Sequence, residues 1–366
     1  MRAEPPAGHS RAFQGFIEAI QALPAARAEV VKSESADSSN GTRHDAKLVV
    51  YIADNAYKVL VEEKRNVYPR DVREVLWQFR QSRRNASVSQ DGDTTISLLI
   101  ADSISPGAKE LLREEQVGYY DSGGSLFFPA VGSYLYIDKP PPKNFANATR
   151  SLYSDRRAQV LHALLVHPDT WFGVKDLAEK AKVSPATASQ VLTELERFDW
   201  LSERGQGPRK ERMLREPSAL LDAWAHHLAS SRPPSLRRYF VPQVKTGELM
   251  EVLDKVFPAN DVDYAISSEA AAQLYAPFLS NVSLVRCRLL RAAGTEAAIR
   301  KIGARSVNKG ANLEIVEVKS AGDLLFRQQV DKIWLASPIQ VYLDLIRGEG
   351  RAKEMAEHLR KERIRF

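Results

Sequence analysis

The chain has almost no cysteine and no long apolar run. Cys287 is the single cysteine among 366 residues, which excludes an internal disulfide framework and any metal site made of several thiolates. No apolar run approaches the roughly 18 residues of a membrane-spanning helix. The first residues, MRAEPPAGHSRAF, lack the apolar segment of a secretory signal. We therefore expect a cytoplasmic protein without a membrane partner.

Sequence patterns that hold cofactors or metals are also missing. The seven histidines show none of the spacings found in zinc enzymes. No glycine-rich phosphate loop of the Walker or dinucleotide-binding type occurs. From these absences we expect no cofactor and no metal. The formal net charge of +6 is mildly basic, which permits a nucleic-acid partner but does not establish one.

Hydrophobic periodicity and proline-rich stretches divide the chain into regions. Residues 1–45 contain a helix, AFQGFIEAIQAL, and a polar loop, VKSESADSSNGTRHD, which we expect to be mobile. Residues 46–140 alternate strands and helices, which indicates an α/β or α+β domain. Residues 150–230 are mainly helical, and residues 237–366 return to an α/β pattern. The prolines of DKPPPKN and SRPPSLRR mark the boundaries between these regions.

One stretch, GVKDLAEKAKVSPATASQVLTELERFDWL, predicts a helix, a tight turn and a second helix. Ser184 is placed as the cap of the second helix, and Pro185 occupies its first position. The helix DRRAQVLHALLVH precedes this pair, and a hairpin, WLSERGQGPRKERMLRE, follows it. Three helices followed by a glycine-containing hairpin is the order of a winged helix-turn-helix, which places its third helix in the major groove of DNA.

The third helix of this unit has one apolar face and one face of short polar residues. Ala188, Leu192 and Leu195 repeat at helical spacing, and Leu177 and Ala178 face the same core from the second helix. Short side chains allow close approach to the groove, and Gln, Ser and Thr can hydrogen-bond to base edges. The hairpin adds cations suited to phosphate contacts. The predicted DNA-binding residues are Ser184, Pro185, Thr187, Ser189, Gln190, Thr193, Arg209, Lys210 and Arg212.

An alternative interpretation of this segment is a helical module for packing or dimerisation without a nucleic-acid role.

A second alternative for the function of the chain comes from Glu62-Glu63-Lys64 at the end of YKVLVEEK, where strand alternation puts Glu62 and Lys64 on one face. Metal-dependent nucleases of the PD-(D/E)-x-K type use this pair with an upstream Asp, here Asp45 or Asp54. Neither Asp follows a proline, and a second E-x-K occurs at Glu317–Lys319, so we interpret the pattern as a strand end or an inherited fold feature.

After about Ala46 the whole chain resembles the AbiEi-type regulators, the antitoxins of type IV toxin–antitoxin (abortive infection) systems. The resemblance lies in LLIADSISPGAKELLREEQVGYYDSGGSLFF, in the winged-helix segment, in DYAISSEAAAQLY and in SPIQVYLDLIRGEGRAKEMAEHLRK. It implies a transcriptional repressor that binds double-stranded DNA, and we expect no enzymatic activity. Because winged helices that read DNA usually act as dimers on paired half-sites, we also expect a homodimer on DNA. It also implies a nucleotidyltransferase-like toxin encoded nearby. The family pattern commonly begins at the winged helix, whereas this chain places a restriction-endonuclease-like domain, which we expect to be inactive, before it.

The most specific part of the resemblance is the SPIQVYLDL motif near the C-terminus. The residues of this motif are Ser337, Gln340, Tyr342 and Asp344. On physical grounds the motif predicts a helix that begins at Pro338 with Ser337 as its cap, and that packs Val341 and Leu345 inward. The sequence therefore predicts a mixed α/β (α+β) protein with an endonuclease-like domain, a central winged helix and a C-terminal α/β domain.

Overall fold

The computed structural model describes residues 9–31, 45–86, 95–140 and 151–366, and the side chains of residues 82–86 are not described. Contacts between residues divide the chain into two units. The first contains the chain up to residue 149 together with Glu194–Asp199, and the second contains the rest. The predicted mixed α/β class is confirmed, because each unit contains helices and a seven-stranded sheet.

The first unit is built on a seven-stranded sheet in which the strands follow one another in chain order. The pairs β3–β4 and β4–β5 are parallel, and the other neighbouring strands are antiparallel. The elements are α1 (Arg11–Gln21), β1 (Ala26–Val30), β2 (Ala46–Ile52), β3 (Asn55–Val67), α2 (Pro69–Ala86), β4 (Ile96–Ile104), α3 (Pro106–Glu114), β5 (Gly118–Asp121), β6 (Leu126–Ala130) and β7 (Ser133–Ile137).

Apolar side chains cover both faces of this sheet. On one face Phe13, Phe16 and Ile20 of α1 pack against the sheet. On the other face a second buried cluster joins α2 and α3 to the sheet. Helix α3 is capped by Ser105, whose hydroxyl accepts a hydrogen bond from the Ala108 backbone amide at 3.3 Å. The first unit is therefore a three-layer arrangement with a sheet between helices.

The second unit starts with helices and a hairpin and continues with a mixed sheet and further helices; the division counts residues 194–197 of its third helix with the first unit. Its elements are α4 (Asp155–Val166), α5 (Val174–Lys180), α6 (Pro185–Arg197), β8 (Leu201–Arg204), β9 (Glu211–Leu214), α7 (Pro217–Ala229), β10 (Arg237–Phe240), α8 (Thr246–Val256), β11 (Tyr264–Ser267), α9 (Ser268–Tyr275), β12 (Val285–Leu290), α10 (Thr295–Lys301), β13 (Arg305–Ser306), β14 (Leu313–Val318), β15 (Gln328–Val330), β16 (Ile333–Leu335), α11 (Pro338–Ile346) and α12 (Ala352–Leu359).

The second sheet has the order β13-β10-β14-β12-β11-β16-β15. The pairs β12–β14 and β11–β16 are parallel, and the remaining pairs are antiparallel. Strand β12 alternates in burial, with Val285, Cys287 and Leu289 inside and Arg286 and Arg288 on the half-buried face. This alternation places two guanidinium groups side by side on one face of the sheet.

The helices and the hairpin that the sequence predicts are present, but several short strands have no clear signal in the sequence. Strand β1 and the β15–β16 hairpin are too short to show a clear two-residue period. The predicted mobile loop from Val31 to Asp45 lies, apart from its two end residues, outside the described residues, as do residues 1–8 and most of the predicted boundary DKPPPKN. The two units are a coarser division than the three predicted domains, whose bounds stay predictions.

Candidate nucleic-acid interface

Helix α6 begins sharply at the predicted cap. The Ser184 hydroxyl accepts a hydrogen bond from the Thr187 backbone amide at 3.2 Å and lies 2.9 Å from the Thr187 hydroxyl oxygen. Pro185 stands at the first position of the helix. The turn before it contains Lys182 at a φ of +51°, which makes the connection from α5 tight. The hydroxyls of Ser184 and Thr187, both predicted to contact DNA, are thus engaged with each other and with the helix start.

The two faces of α6 have the predicted character. Ala188, Val191, Leu192 and Leu195 are fully buried, and so are Leu177 and Ala178 at the end of α5. The exposed residues of α6 up to residue 193 are Pro185, Ala186, Ser189, Gln190 and Thr193. The hydroxyls of Ser189 and Thr193 make no side-chain hydrogen bond to any residue that the structure describes. This face consequently has small polar groups that are free to bind a ligand.

Gln190 already has an intramolecular partner. A guanidinium nitrogen of Arg157, on α4, donates a hydrogen bond to the Gln190 amide oxygen at 3.1 Å. The same guanidinium donates to the Ser151 hydroxyl at 3.0 Å. Arg157 therefore holds the Gln190 side chain in the free protein and adds a cation next to the exposed face. The role of Arg157 has no signal in the sequence, because no local spacing connects a residue of α4 with one 33 positions later.

Strands β8 and β9 form the predicted antiparallel hairpin, with Leu201 opposite Leu214 and Arg204 opposite Glu211. Gly205 stands at a φ of +72°, and an added Cβ there would lie 2.5 Å from the Arg209 carbonyl oxygen. Since other residues would be strained at this φ and would also clash, the turn requires glycine at this position.

The cations of the hairpin differ in how they are paired. Lys210 lies 2.9 Å from a carboxylate oxygen of Glu203, and Arg204 lies 2.7 Å from one of Glu211. Arg212 is half-buried and donates to the Lys210 carbonyl at 3.5 Å. The exposed Arg209 side chain makes no ion pair or hydrogen bond with any described residue. Among the three predicted phosphate contacts, Arg209 is thus exposed and makes no ion pair with any described residue, whereas Lys210 is paired with Glu203.

The C-terminal motif residues form a hydrogen-bonded network in the second unit. The Asp344 carboxylate accepts hydrogen bonds from Arg288 at 3.0 Å, from Gln340 at 2.9 Å and from the Ser267 hydroxyl. Tyr342, another residue of the motif, is buried, and its hydroxyl lies 3.3 Å from a guanidinium nitrogen of Arg360. Gln340 and Asp344 also line a cavity of about 330 Å³. The motif therefore ties α11 to strands β11 and β12.

Helix α11 is capped as predicted, and its cap has an unexpected partner. The Ser337 hydroxyl accepts from the Gln340 backbone amide at 3.1 Å, and Val341 and Leu345 are buried. The Ser337 oxygen also lies 2.5 Å from Nε2 of His162, a buried residue of α4. Burial, with a smaller contribution from the Arg288 charge, lowers the pKa of His162 to about 3. His162 is therefore neutral at physiological pH.

The residues of the nuclease alternative lie on neighbouring strands. Asp45 directly precedes β2, whose Ala46 pairs with Val61 of β3, so Asp45 lies beside Glu62. The Asp45 carboxylate accepts from the Glu63 backbone amide at 2.7 Å, while Glu62 is buried and Lys64 is half-buried. In the described ranges, no three His, Cys, Asp or Glu side chains come together in a way that could hold a metal ion.

The second E-x-K pattern is occupied by ion pairs. Glu317 accepts from Arg237 at 2.7 Å and lies 3.5 Å from Arg291. Lys319 lies 3.2 Å from a carboxylate oxygen of Asp155. Both charged side chains of this second pattern therefore have ion-pair partners.

Comparison with known protein families gives a match in the C-terminal part of the chain. Residues 212–365 match the AbiEi antitoxin family. The family is described as a transcriptional regulator, AbiEi antitoxin, of type IV toxin–antitoxin systems. The match supports the predicted AbiEi-type resemblance and a general role in regulation, and it includes the motif network of α11 but not helices α4–α6 or the first unit.

No curated protein and no solved structure matched the chain. Within the described parts of the chain, no helix is long and apolar enough to cross a membrane. The endonuclease-like character of residues 46–140 and the winged-helix assignment stay predictions.

Proposed function

We propose that the protein is a cytosolic, DNA-binding transcriptional repressor that acts as the antitoxin of a type IV toxin–antitoxin system. The observation that carries this proposal is the match of residues 212–365 to AbiEi antitoxins, which are transcriptional regulators. In the proposal, helices α4–α6 and the β8–β9 hairpin form a winged helix-turn-helix. Helix α6 enters the major groove, and the hairpin contacts the phosphate backbone.

The arrangement of side chains supports this division of roles. The exposed face of α6 offers Ser189, Gln190 and Thr193, whose hydroxyl and amide groups can donate to and accept from base edges. No charged residue lies among these three, so they contribute specificity rather than general attraction to DNA. The exposed guanidinium of Arg209 at the hairpin contributes the opposite property, because a phosphate contact carries no sequence information.

DNA binding is tested by fluorescence anisotropy with the duplex upstream of the protein's own gene and with a random duplex of equal length. We expect tighter binding to the upstream duplex, and binding to both that weakens as salt increases. Equal affinity for both duplexes would remove the repressor assignment. An affinity that does not change with salt concentration would contradict the proposal that cationic side chains bind the DNA phosphates.

The assembly on DNA is a separate part of the proposal. Winged helices that read DNA commonly bind as dimers to two half-sites about one helical turn apart. We expect footprinting at saturating protein to show two protected half-sites. Protection of one half-site by one chain would contradict the dimer.

The antitoxin role requires a toxin, which we propose to be a nucleotidyltransferase-like protein encoded next to this gene. Expression of that neighbour alone should stop growth of the host cell, and co-expression of this protein should restore it. A variant that no longer binds DNA separates the two activities, because restored growth with that variant would show that neutralisation does not depend on repression. Growth arrest that persists with the intact protein would contradict the antitoxin role.

A further inference from the structure

A pocket of about 490 Å³ lies in the first unit under helix α3. Three elements contribute polar side chains to its walls. Helix α3 supplies Lys109 and Arg113, which are one turn apart and point to the same side. Strand β5 supplies Tyr119, and strand β7 with the residues after it supplies Tyr136 and Asp138. Asp121 at the end of β5 does not line the pocket but lies next to Lys109. We call the polar groups around Lys109 the inner level and those around Arg113 the outer level.

The charges of the inner level are paired with one another. Lys109 and Asp121 are both buried, and their charged groups lie 2.9 Å apart. The Lys109 ammonium also donates to the buried Ser125 hydroxyl at 2.7 Å and lies 3.4 Å from Asp138. The Asp121 carboxylate in turn accepts from the Ser125 backbone amide at 3.1 Å. Each charge at this level has an opposite charge next to it.

The outer level is not satisfied. The Tyr119 side chain is fully buried, and its hydroxyl has no hydrogen-bond partner among the described residues. The same is true of the Nε atom of Arg113. The terminal nitrogens of Arg113 reach only the neutral Tyr136 hydroxyl, at 2.9 Å, and no carboxylate of the described chain pairs with this guanidinium. A buried donor without an acceptor lowers stability by about 1–3 kcal/mol, so two such donors in one pocket need an explanation.

Both unpartnered groups act as donors. Arginine has no acceptor atom, and burial raises the pKa of Tyr119 above its ordinary value, which keeps the phenol protonated. At the rim, Lys139 adds an exposed cation with no carboxylate partner in the described chain, while the exposed Glu110 and Asp138 are the acidic groups of the lining. The Tyr119 hydroxyl and Arg113 Nε can thus donate hydrogen bonds to the oxygens of an anion, and the Arg113 guanidinium provides a positive charge that has no counter-ion in the described chain.

We propose that this pocket binds an organic oxyanion, a phosphate monoester or a carboxylate, whose oxygens accept hydrogen bonds from Arg113 Nε and the Tyr119 hydroxyl. The volume lies in the range of small-molecule sites, about 300–1,000 Å³, and far exceeds the roughly 30 Å³ that one water occupies. The exposed ring of Tyr136, with the Arg113 guanidinium 5.3 Å from its centre, provides a flat surface for the rest of the ligand. The site is independent of the proposed DNA-binding function.

The test is isothermal titration of the full-length protein, without DNA, with three probes: adenosine 5′-monophosphate, succinate and inorganic phosphate. Tyr119→Phe removes only the unpartnered oxygen. Tyr120→Phe is the matched control, because the neighbouring Tyr120 side chain packs in the cluster on the opposite face of the same strand. Arg113→Lys keeps the charge but removes the Nε donor.

We expect saturable binding of adenosine monophosphate or succinate to the parent and to Tyr120→Phe. Since a hydrogen bond to a charged group contributes about 1.5–3 kcal/mol, Tyr119→Phe should bind about 10- to 150-fold more weakly. Arg113→Lys should also bind more weakly. Without ligand, Tyr119→Phe should melt at the parent's temperature or above it, which shows that the loss of binding is not loss of fold.

Three outcomes would overturn the proposal. The first is that the parent binds none of the probes more tightly than about 1 mM, in which case the two donors are satisfied by water. The second is equal affinity in the parent and Tyr119→Phe. The third is equal affinity for inorganic phosphate and adenosine monophosphate, which would reject the organic ligand. Which of the two organic probes binds distinguishes a phosphate monoester from a carboxylate.

Discussion

The unpaired charge of Arg209 leads to a quantitative prediction of how the affinity for DNA depends on salt concentration. Each phosphate that a cation neutralises contributes about −0.9 to the slope of the logarithm of affinity against the logarithm of salt concentration. Arg209 has no ion pair in the described chain, so Arg209→Ala should reduce the magnitude of that slope by about one unit. When salt increases from 50 to 200 mM, the affinity of the parent for DNA should therefore fall by a factor about 3.5 times larger than that of Arg209→Ala.

Lys210, which is paired with Glu203, can be compared with the unpaired Arg209 in the same hairpin. Because Glu203 lies 2.9 Å from the Lys210 ammonium and partly balances it, Lys210→Ala should change the slope by less than Arg209→Ala does. Glu203→Gln removes the competing carboxylate. This variant should steepen the slope and tighten binding to every duplex at low salt.

The assay is fluorescence anisotropy at four or more salt concentrations with the upstream and random duplexes. Arg300→Ala is the control, because Arg300 is an exposed arginine on α10, outside the proposed interface. An Arg209→Ala slope equal to that of the parent would refute the assignment of the hairpin to the DNA backbone. An equal slope change in Arg300→Ala would mean that the effect reports net charge alone.

Three further experiments test other residues. Gln190→Ala should weaken binding to the upstream duplex by about 1–3 kcal/mol with little effect on random duplex and on the salt slope, and equal losses on both duplexes would contradict base readout. Incubation of plasmid with magnesium or manganese should give no cleavage, and cleavage that disappears in Glu62→Ala and Lys64→Ala would reverse that prediction. The pKa of His162 in the folded state is about 3, below the ordinary value of about 6.5, so the unfolded state binds its proton more readily as pH falls. The free energy of unfolding, measured with urea, should therefore fall between pH 7 and pH 5 by about 2 kcal/mol more in the parent than in His162→Gln. An equal decrease in both proteins would contradict this.

The sequence predicts features of this fold whose signals lie within a few neighbouring residues. Ser184-Pro185 and Ser337-Pro338 each predict a cap followed by proline, and both helices begin at those prolines. The exposed and buried faces of α6 follow from helical periodicity alone. These features need no information about the rest of the chain, which is why they could be found.

Features that depend on distant residues could not be found in the same way. The sequence DSGGS predicts only a turn, yet its Asp121 and Ser125 are buried together with Lys109 of the preceding helix. The hydrogen bond between Arg157 and Gln190 likewise joins two helices. Neither contact leaves a periodic pattern, since only the packing of separate elements brings the partners together.

The contact between Ser337 and His162 couples the tautomer of one buried imidazole to the start of a helix. The Ser337 oxygen accepts the Gln340 amide hydrogen, and the ring nitrogen Nε2 lies 2.5 Å away. Because a hydroxyl has a second lone pair as well as its own hydrogen, it can either donate to a bare Nε2 or accept from a protonated one. Each arrangement holds the neutral ring in one tautomer. The nitrogen resonances of His162 should therefore show a single tautomer and identify which of the two it is. Replacement of Ser337 by alanine should release the ring to exchange between both.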